Sequence, residues 1–275
     1  MLKKAYLEIT NICNLACSFC PGTAREKRML TRAEFETLAA KLSPHVEYLY
    51  FHLMGEPLLH PLLPDFLEIA GGMGLRLMLT TNGTLLPERG AVLCESGALW
   101  KVSVSLQSFE ANPGGAFDDY LDGCVAFARD AVKAGKLCEL RLWNRNGLDS
   151  LNPAIEARLA EAFPRPWKPA REGWKLHEGL WLVEGERFDW PGLDAADRGD
   201  ACFCYGLRDQ VGVLCDGTVV PCCLDHEGDV PLGNLFTQSL DEILAGPRAR
   251  AIRDGFSQRR ATEALCRRCG YARRF

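Results

Sequence analysis

Short apolar runs alternate with amphipathic stretches from the start of the chain to about residue 143. Runs at 5–10, 46–53, 75–80, 101–106 and 137–143 have the length and composition of buried strands. Between them, 31–42, 62–73, 88–96 and 118–134 repeat apolar residues at helical spacing. Thr31, followed three positions later by Glu34, marks a capped helix start. Repeated strand–helix units require parallel strands joined by right-handed crossovers, which gives an α/β barrel or an open sheet. In both architectures chemistry collects at the C-terminal ends of the strands.

The pattern changes after residue 143. Pro164, Pro166, Pro169 and Pro191 interrupt it, and Trp143, Trp167, Trp174, Trp181 and Trp190 crowd the same stretch. A sixth strand is expected at 180–184, then a linker, with the tryptophans read as interdomain packing rather than the walls of a substrate cleft. A smaller module follows from about residue 200. Apolar runs at 211–215 and 218–221 flank Asp216 and Gly217, a hairpin signal. A helix is expected at 239–252, capped by Ser239 with Glu242 at its third position. The division is therefore 1–185 for the barrel and 186–275 for the linker and module.

Composition narrows the function. The 275 residues are 47% hydrophobic and 25% charged, enough for a substantial core, and the net charge of −4 gives no reason to expect nucleic acid or an anionic membrane as partner. No apolar run approaches the roughly 20 residues of a membrane span, and the N-terminus does not read as a signal peptide, so a cytoplasmic location is expected. Thirteen cysteines are unevenly spread. In a reducing compartment close-spaced cysteines point to metal rather than disulfides. Cys94, Cys124 and Cys138 sit among apolar neighbours and are read as core.

Directly after the first run stand Cys13, Cys17 and Cys20, a Cys-x3-Cys-x2-Cys motif. Three thiolates on one loop can hold three corners of a cubane cluster and leave one iron open for catalysis. A zinc site short of a ligand, or three incidental thiols, are the plainer readings. The motif, with the aromatic Phe19 before its last cysteine, resembles the radical S-adenosylmethionine superfamily. The resemblance covers 5–143 and implies a 4Fe–4S cluster on Cys13, Cys17 and Cys20, with S-adenosylmethionine bound at its open iron. Gly55-Glu56-Pro57 looks like the family's Gly-Gly-Glu-Pro, with Met54 in place of the first glycine, and implies that Gly55 and Glu56 hold the methionine ammonium. Thr81-Asn82-Gly83 ends the third run as the family does, which brings in Asn82. Ser103 and Ser105 share one face of the fourth run, and Glu139, Arg141 and Trp143 one face of the fifth. The resemblance assigns Ser105 to the ribose, and the planar fork of Arg141 suits the methionine carboxylate. Ordinary barrel packing or ion pairing is the competing reading of both.

The second cysteine set comprises Cys202, Cys204, Cys215, Cys222, Cys223, Cys266 and Cys269. Cys204-x12-Gly217-x4-Cys222, then Gly233-Asn234-Leu235 and Cys266-x2-Cys269, resembles the auxiliary-cluster domains called SPASM and twitch. It implies a second 4Fe–4S cluster on Cys204, Cys222, Cys266 and Cys269; Cys202 and Cys223 are alternatives, and structural zinc is the other reading. Arg259, Arg260, Arg267, Arg268, Arg273 and Arg274 read as a solvated basic face. The fold class expected is thus α/β, a partial (β/α)6 TIM-like barrel with a small cysteine-rich domain. The implied chemistry is reductive cleavage of S-adenosylmethionine to a 5′-deoxyadenosyl radical and hydrogen abstraction from substrate. Oxidation then runs through the auxiliary cluster, as in a small-molecule dehydrogenase. A peptide-modifying enzyme that crosslinks, epimerises or oxidises a side chain is the alternative. The start of the chain, almost at its first strand, tilts the expectation slightly toward a small molecule or a peptide brought by a separate protein. A non-catalytic iron–sulfur or zinc protein would need no Gly55-Glu56-Pro57. A flavodoxin or ferredoxin is the expected electron donor. No catalytic acid or base stands out, and Tyr205, His226 and Glu227 are read as structural.

Overall fold

The alternation becomes β1 (Leu2–Leu7), α1 (Arg32–Leu42), β2 (Val46–Phe51), α2 (Leu63–Gly72), β3 (Arg76–Thr81), α3 (Leu86–Glu95), β4 (Leu99–Ser105), α4 (Phe117–Lys133) and β5 (Leu137–Arg145). The structure is a computed structural model and describes residues 2–112 and 114–274. Thr31 caps α1 with Glu34 in a reciprocal capping box. β1 starts and ends three residues before the expected 5–10, because its lysine-bearing start pairs on both sides. Residues after Leu7 leave the ladder, and Thr10 bridges to Met29.

Two elements were hidden by proline. α5 (Asn152–Ala162) carries its proline in the first turn, where no intrahelical N–H is needed. β6 (Lys168–Ala170) tolerates Pro169 because it is an exposed edge strand paired only with β7 (Gly173–His177). β8 (Leu180–Glu186) is the expected sixth strand and lies parallel to β5. The helix expected at 239–252 is two helices, α6 (Leu240–Leu244) and α7 (Pro247–Ser257), broken where Gly246 precedes Pro247. α8 (Ala264–Arg267) follows.

The C-terminal module adds strands to the barrel sheet. β9 (Gln210–Val213) pairs parallel to β1, with Lys4 opposite Gln210 and Leu7 opposite Val213. β10 (Thr218–Val220) turns back antiparallel to β9, and β11 (Gly233–Asn234) pairs with β10. One sheet therefore runs β11-β10-β9-β1-β2-β3-β4-β5-β8-β7-β6.

Its two faces differ. Leu7, Leu49, Phe51, Leu77, Leu79, Val102, Val104, Leu140 and Leu182 are buried with Phe35, Phe66, Leu93 and Phe127 of the helices. Each such side chain contributes on the order of 1.5–3 kcal/mol. Cys124 and Cys138 belong to this core and Cys94 packs at its edge, as expected. The alternate positions Lys4, Tyr6, Tyr50, Lys101, Ser103, Ser105, Glu139, Arg141 and Trp143 face the concave side.

The tryptophans do not form one interdomain layer. Trp190 meets His226 edge-on at 5.7 Å, but Trp143 lies against Arg141 and Trp167 is buried in the barrel core. The tail arginines are not a free basic face either. Arg267 pairs with Asp197 at 2.7 Å, Arg273 donates to the carbonyls of Arg198 and Gly199, and Arg274 donates to that of Glu186. They tie the linker down because its carbonyls lack strand partners.

Candidate active site at the strand ends

The first cysteines lie on an excursion from Ile9 to Leu30 whose ends are tied together. Leu30 N–H donates to the Ile9 carbonyl at 2.9 Å, and the Asn11 side chain accepts from Arg28 N–H at 2.9 Å and donates to the Glu26 carbonyl at 2.8 Å. Cys13 and Cys20 are exposed and Cys17 is half-buried, with Phe19 half-buried beside them. Asn82 Nδ2 reaches Cys13 Sγ at 3.9 Å, and Asn112 Nδ2 donates to Cys17 Sγ at 3.1 Å. Asn112 also accepts from Ala16 N–H at 2.9 Å. Sequence reading missed Asn112; its place beyond a strand end was the only available signal. Partial burial raises all three thiols above the usual cysteine range.

The second strand end locks against this loop. Glu56 N–H donates to the Ile12 carbonyl at 2.8 Å. Gly55 has φ 76°, and a Cβ there would lie 2.4 Å from the Thr10 carbonyl oxygen, so only glycine fits. The Glu56 carboxylate accepts from Leu58 N–H at 3.0 Å and Asn82 N–H at 2.7 Å, yet burial pushes its pKa up to about 7. Such a carboxyl lacks a cation, and an ammonium placed against it would restore its charge. Asn82 is held in turn, its carbonyl accepting from Ser108 Oγ at 3.0 Å and Tyr120 OH at 2.8 Å.

On the concave face Glu139 accepts from Lys101 at 2.8 Å, Ser103 at 3.0 Å and Arg141 at 2.9 Å. These cations hold Glu139 down at about 2 despite burial, which opposes them. Arg141 Nε is buried with no hydrogen-bond partner among the described residues, so the guanidinium keeps a donor for a further acceptor. Ser105 stands opposite Arg141 in register.

In the module, Cys204, Cys222, Cys266 and Cys269 are near enough to perturb one another electrostatically. Burial first, then the neighbouring sulfurs, pushes Cys204 up to about 11 and also raises Cys222 and Cys266 well above the usual thiol range. Among the described residues no three His, Cys, Asp or Glu are drawn to metal-holding spacing. Cys223 instead shares a hydrogen bond with Tyr6 on the concave face. Cys215 is buried, and its N–H donates to Glu8 at 3.0 Å.

Glu8 joins the two halves. Its carboxylate receives both terminal nitrogens of Arg25, at 2.9 and 2.6 Å, from the first cysteine loop. Arg25 Nε donates to the His226 carbonyl at 2.8 Å, and Ala24 N–H donates to Glu227 at 3.0 Å. The His226 backbone and the Glu227 carboxylate thus hold the first cysteine loop.

Residues 7–136 match the radical SAM superfamily, and residues 202–270 match SPASM, an iron–sulfur cluster-binding domain. A GTP 3′,8-cyclase of Chlorobaculum tepidum is 32% identical over 281 aligned positions, covering 86% of this chain and 83% of that protein. A PqqA peptide cyclase of Gluconobacter oxydans is 25% identical, covering 86% of this chain and 74% of its own. Three other curated relatives match over only 34%, 26% and 34% of their own length. The crystal structure of BtrN in complex with AdoMet and 2-DOIA superposes with a TM-score of 0.63 at 19% identity, covering 98% of this chain and 93% of that one. At that identity the likeness speaks for fold alone. No helix among the described residues is long and apolar enough to cross a membrane.

Proposed function

The chain belongs to the radical S-adenosylmethionine superfamily and carries a SPASM iron–sulfur domain, and we propose that it oxidises a small molecule from which it first removes a hydrogen atom. Each domain implies a 4Fe–4S cluster, with S-adenosylmethionine at the first. When bound, these groups supply a 5′-deoxyadenosyl radical and an electron acceptor.

The residues fit them. Cys13, Cys17 and Cys20 are three thiols on a tied loop, the number that leaves one iron open. Phe19, half-buried between Cys17 and Cys20, would border that site. Glu56 and the backbone at Gly55 receive the methionine ammonium, which supplies the cation that Glu56 lacks. The orphaned Nε of Arg141 receives the carboxylate, Ser105 the ribose, and Asn82 spans Glu56 and Cys13. Cys204, Cys222, Cys266 and Cys269 take the auxiliary cluster; binding would relieve thiols that burial keeps protonated.

The observation that carries the oxidative reading is the shared concave face. β1 leads into the first cysteine loop, and β10, two strands away, leads into Cys222 and Cys223. Because β10 runs antiparallel to β1, Cys222 and Cys223 come toward the opposite end of that face from the first loop, with Cys223 meeting Tyr6 on it, so a substrate held on the face would lie between the two sites. The likeness to a peptide cyclase keeps a peptide substrate as the second reading.

The test compares wild type with a Cys266→Ala/Cys269→Ala variant, each incubated anaerobically with a metabolite extract, reductant and S-adenosylmethionine. Wild type is expected to convert one component into a product lighter by two hydrogen atoms. The variant should still release 5′-deoxyadenosine but leave that component unchanged. A product of unchanged mass, or a variant that oxidises as well as wild type, overturns the proposal.

A further inference from the structure

The concave face carries three cations of its own, Lys4, Lys101 and Arg141, against one carboxylate, Glu139. Lys101 and Arg141 both pair with Glu139. Glu8, above them on β1's continuation, is taken by Arg25, and Glu56 is enclosed by backbone N–H groups. Asp209 acts on the charge of Lys4 through space but makes no ion pair with it; its carboxylate lies 3.9 Å from Arg208. Lys4 is left over. Among the described residues its ammonium makes no ion pair; it lies over the rings of Tyr6 and Tyr50, at 5.1 and 5.3 Å. Tyr6 and Tyr50 are themselves in contact at 5.0 Å, and His52 stands 5.9 Å from Tyr6. Ring faces attract a cation but do not neutralise it. A partly buried ammonium with no direct ion-pair partner, acted on only through space by Cys223 and Asp209, is costly to the free protein, and a ligand's anionic group would offset that cost.

Resting on the radical S-adenosylmethionine reading above, we propose that Lys4, flanked by Tyr6, Tyr50 and His52, anchors an anionic group of the substrate, a phosphate ester or a carboxylate. The position suits the task. Arg141 is committed to Glu139 and the methionine carboxylate, so Lys4 is the cation still available on the wall beside Cys223. His52 stays neutral there, because burial and then the charges of Arg141 and Lys4 hold it down at about 3, and it adds a hydrogen-bonding edge rather than a second charge. A rival role for Lys4 is to offset the charge of the auxiliary cluster through its Cys223 side.

The experiment titrates the holoenzyme, with both clusters and S-adenosylmethionine, against inorganic phosphate and separately against acetate, with glycerol as the neutral control. At least one anion should bind saturably; which one separates a phosphoryl group from a carboxylate. Lys4→Met should weaken it about tenfold or more, and Lys4→Arg should stay within about threefold, since charge rather than shape is recognised. The auxiliary midpoint potential should be equal in all three proteins. Absence of anion binding in wild type, or equal binding in Lys4→Met, overturns the proposal. A potential that moves with the loss of binding assigns Lys4 to the cluster and overturns it too. Binding of S-adenosylmethionine, measured on the same samples, keeps the outcomes apart: if it is retained while anions fail, only this inference falls.

Discussion

Replacing Cys13, Cys17 and Cys20 together by alanine abolishes cleavage of S-adenosylmethionine and halves the iron, from about eight atoms per chain to about four. The expectation rests on position. These thiols are on a loop tied at both ends, in contact with Asn82 and Asn112 but outside the main core, so their loss leaves the sheet intact. The auxiliary thiols belong to the sequence from 204 onward and keep their own iron. Anaerobic iron and sulfide analysis of reconstituted wild type and variant checks the count. Iron unchanged in the variant, or cleavage retained, contradicts the assignment. Loss of all iron would show that the two sites assemble only together.

Arg25→Ala is the second large effect, and it acts on stability. The Glu8 side chain is fully buried, and Arg25 is 14% exposed. Removing the guanidinium leaves the carboxylate with only the N–H and thiol of Cys215 among the described residues and cuts the link to the His226 carbonyl. Breaking a buried pair from one side costs about 3–5 kcal/mol, whereas replacing both partners by apolar residues costs much less. Urea denaturation of the cluster-free chain should therefore show a large loss for Arg25→Ala and most of it recovered in Arg25→Met/Glu8→Met. Because Arg25 belongs to the first cysteine loop, the single variant should also bind S-adenosylmethionine more weakly. A loss below about 1 kcal/mol would mean the pair is solvated and the two halves are not coupled through it.

The readable parts of this protein are those with a local code. Strand–helix alternation, the Thr31 and Ser239 caps and the close cysteine spacings each reside within a few consecutive residues. Proline misled where its context was not local: Pro169 breaks a central strand but sits comfortably on the edge strand β6. The opposite error hid the break between α6 and α7, although Gly246 and Pro247 stood in plain view. β1 was displaced because Lys3 and Lys4 look unlike a buried strand, while Lys4 faces a polar concave wall. What no window could reveal is pairing across the whole chain. Lys4 to Leu7 against Gln210 to Val213, and Arg25 between Glu8 and the His226 carbonyl, join residues about two hundred positions apart. Those contacts make the cysteine-rich module part of the barrel sheet, and they bring Cys223 against Tyr6 on the concave face.

This chain is expected to cleave S-adenosylmethionine at its first cysteine site. The most direct measurement incubates reconstituted wild-type protein anaerobically with S-adenosylmethionine and a low-potential reductant, and quantifies 5′-deoxyadenosine and methionine. Both should appear together, in amounts that depend on the reductant. A protein that holds its iron and binds S-adenosylmethionine, yet releases no 5′-deoxyadenosine when reduced, would contradict that expectation.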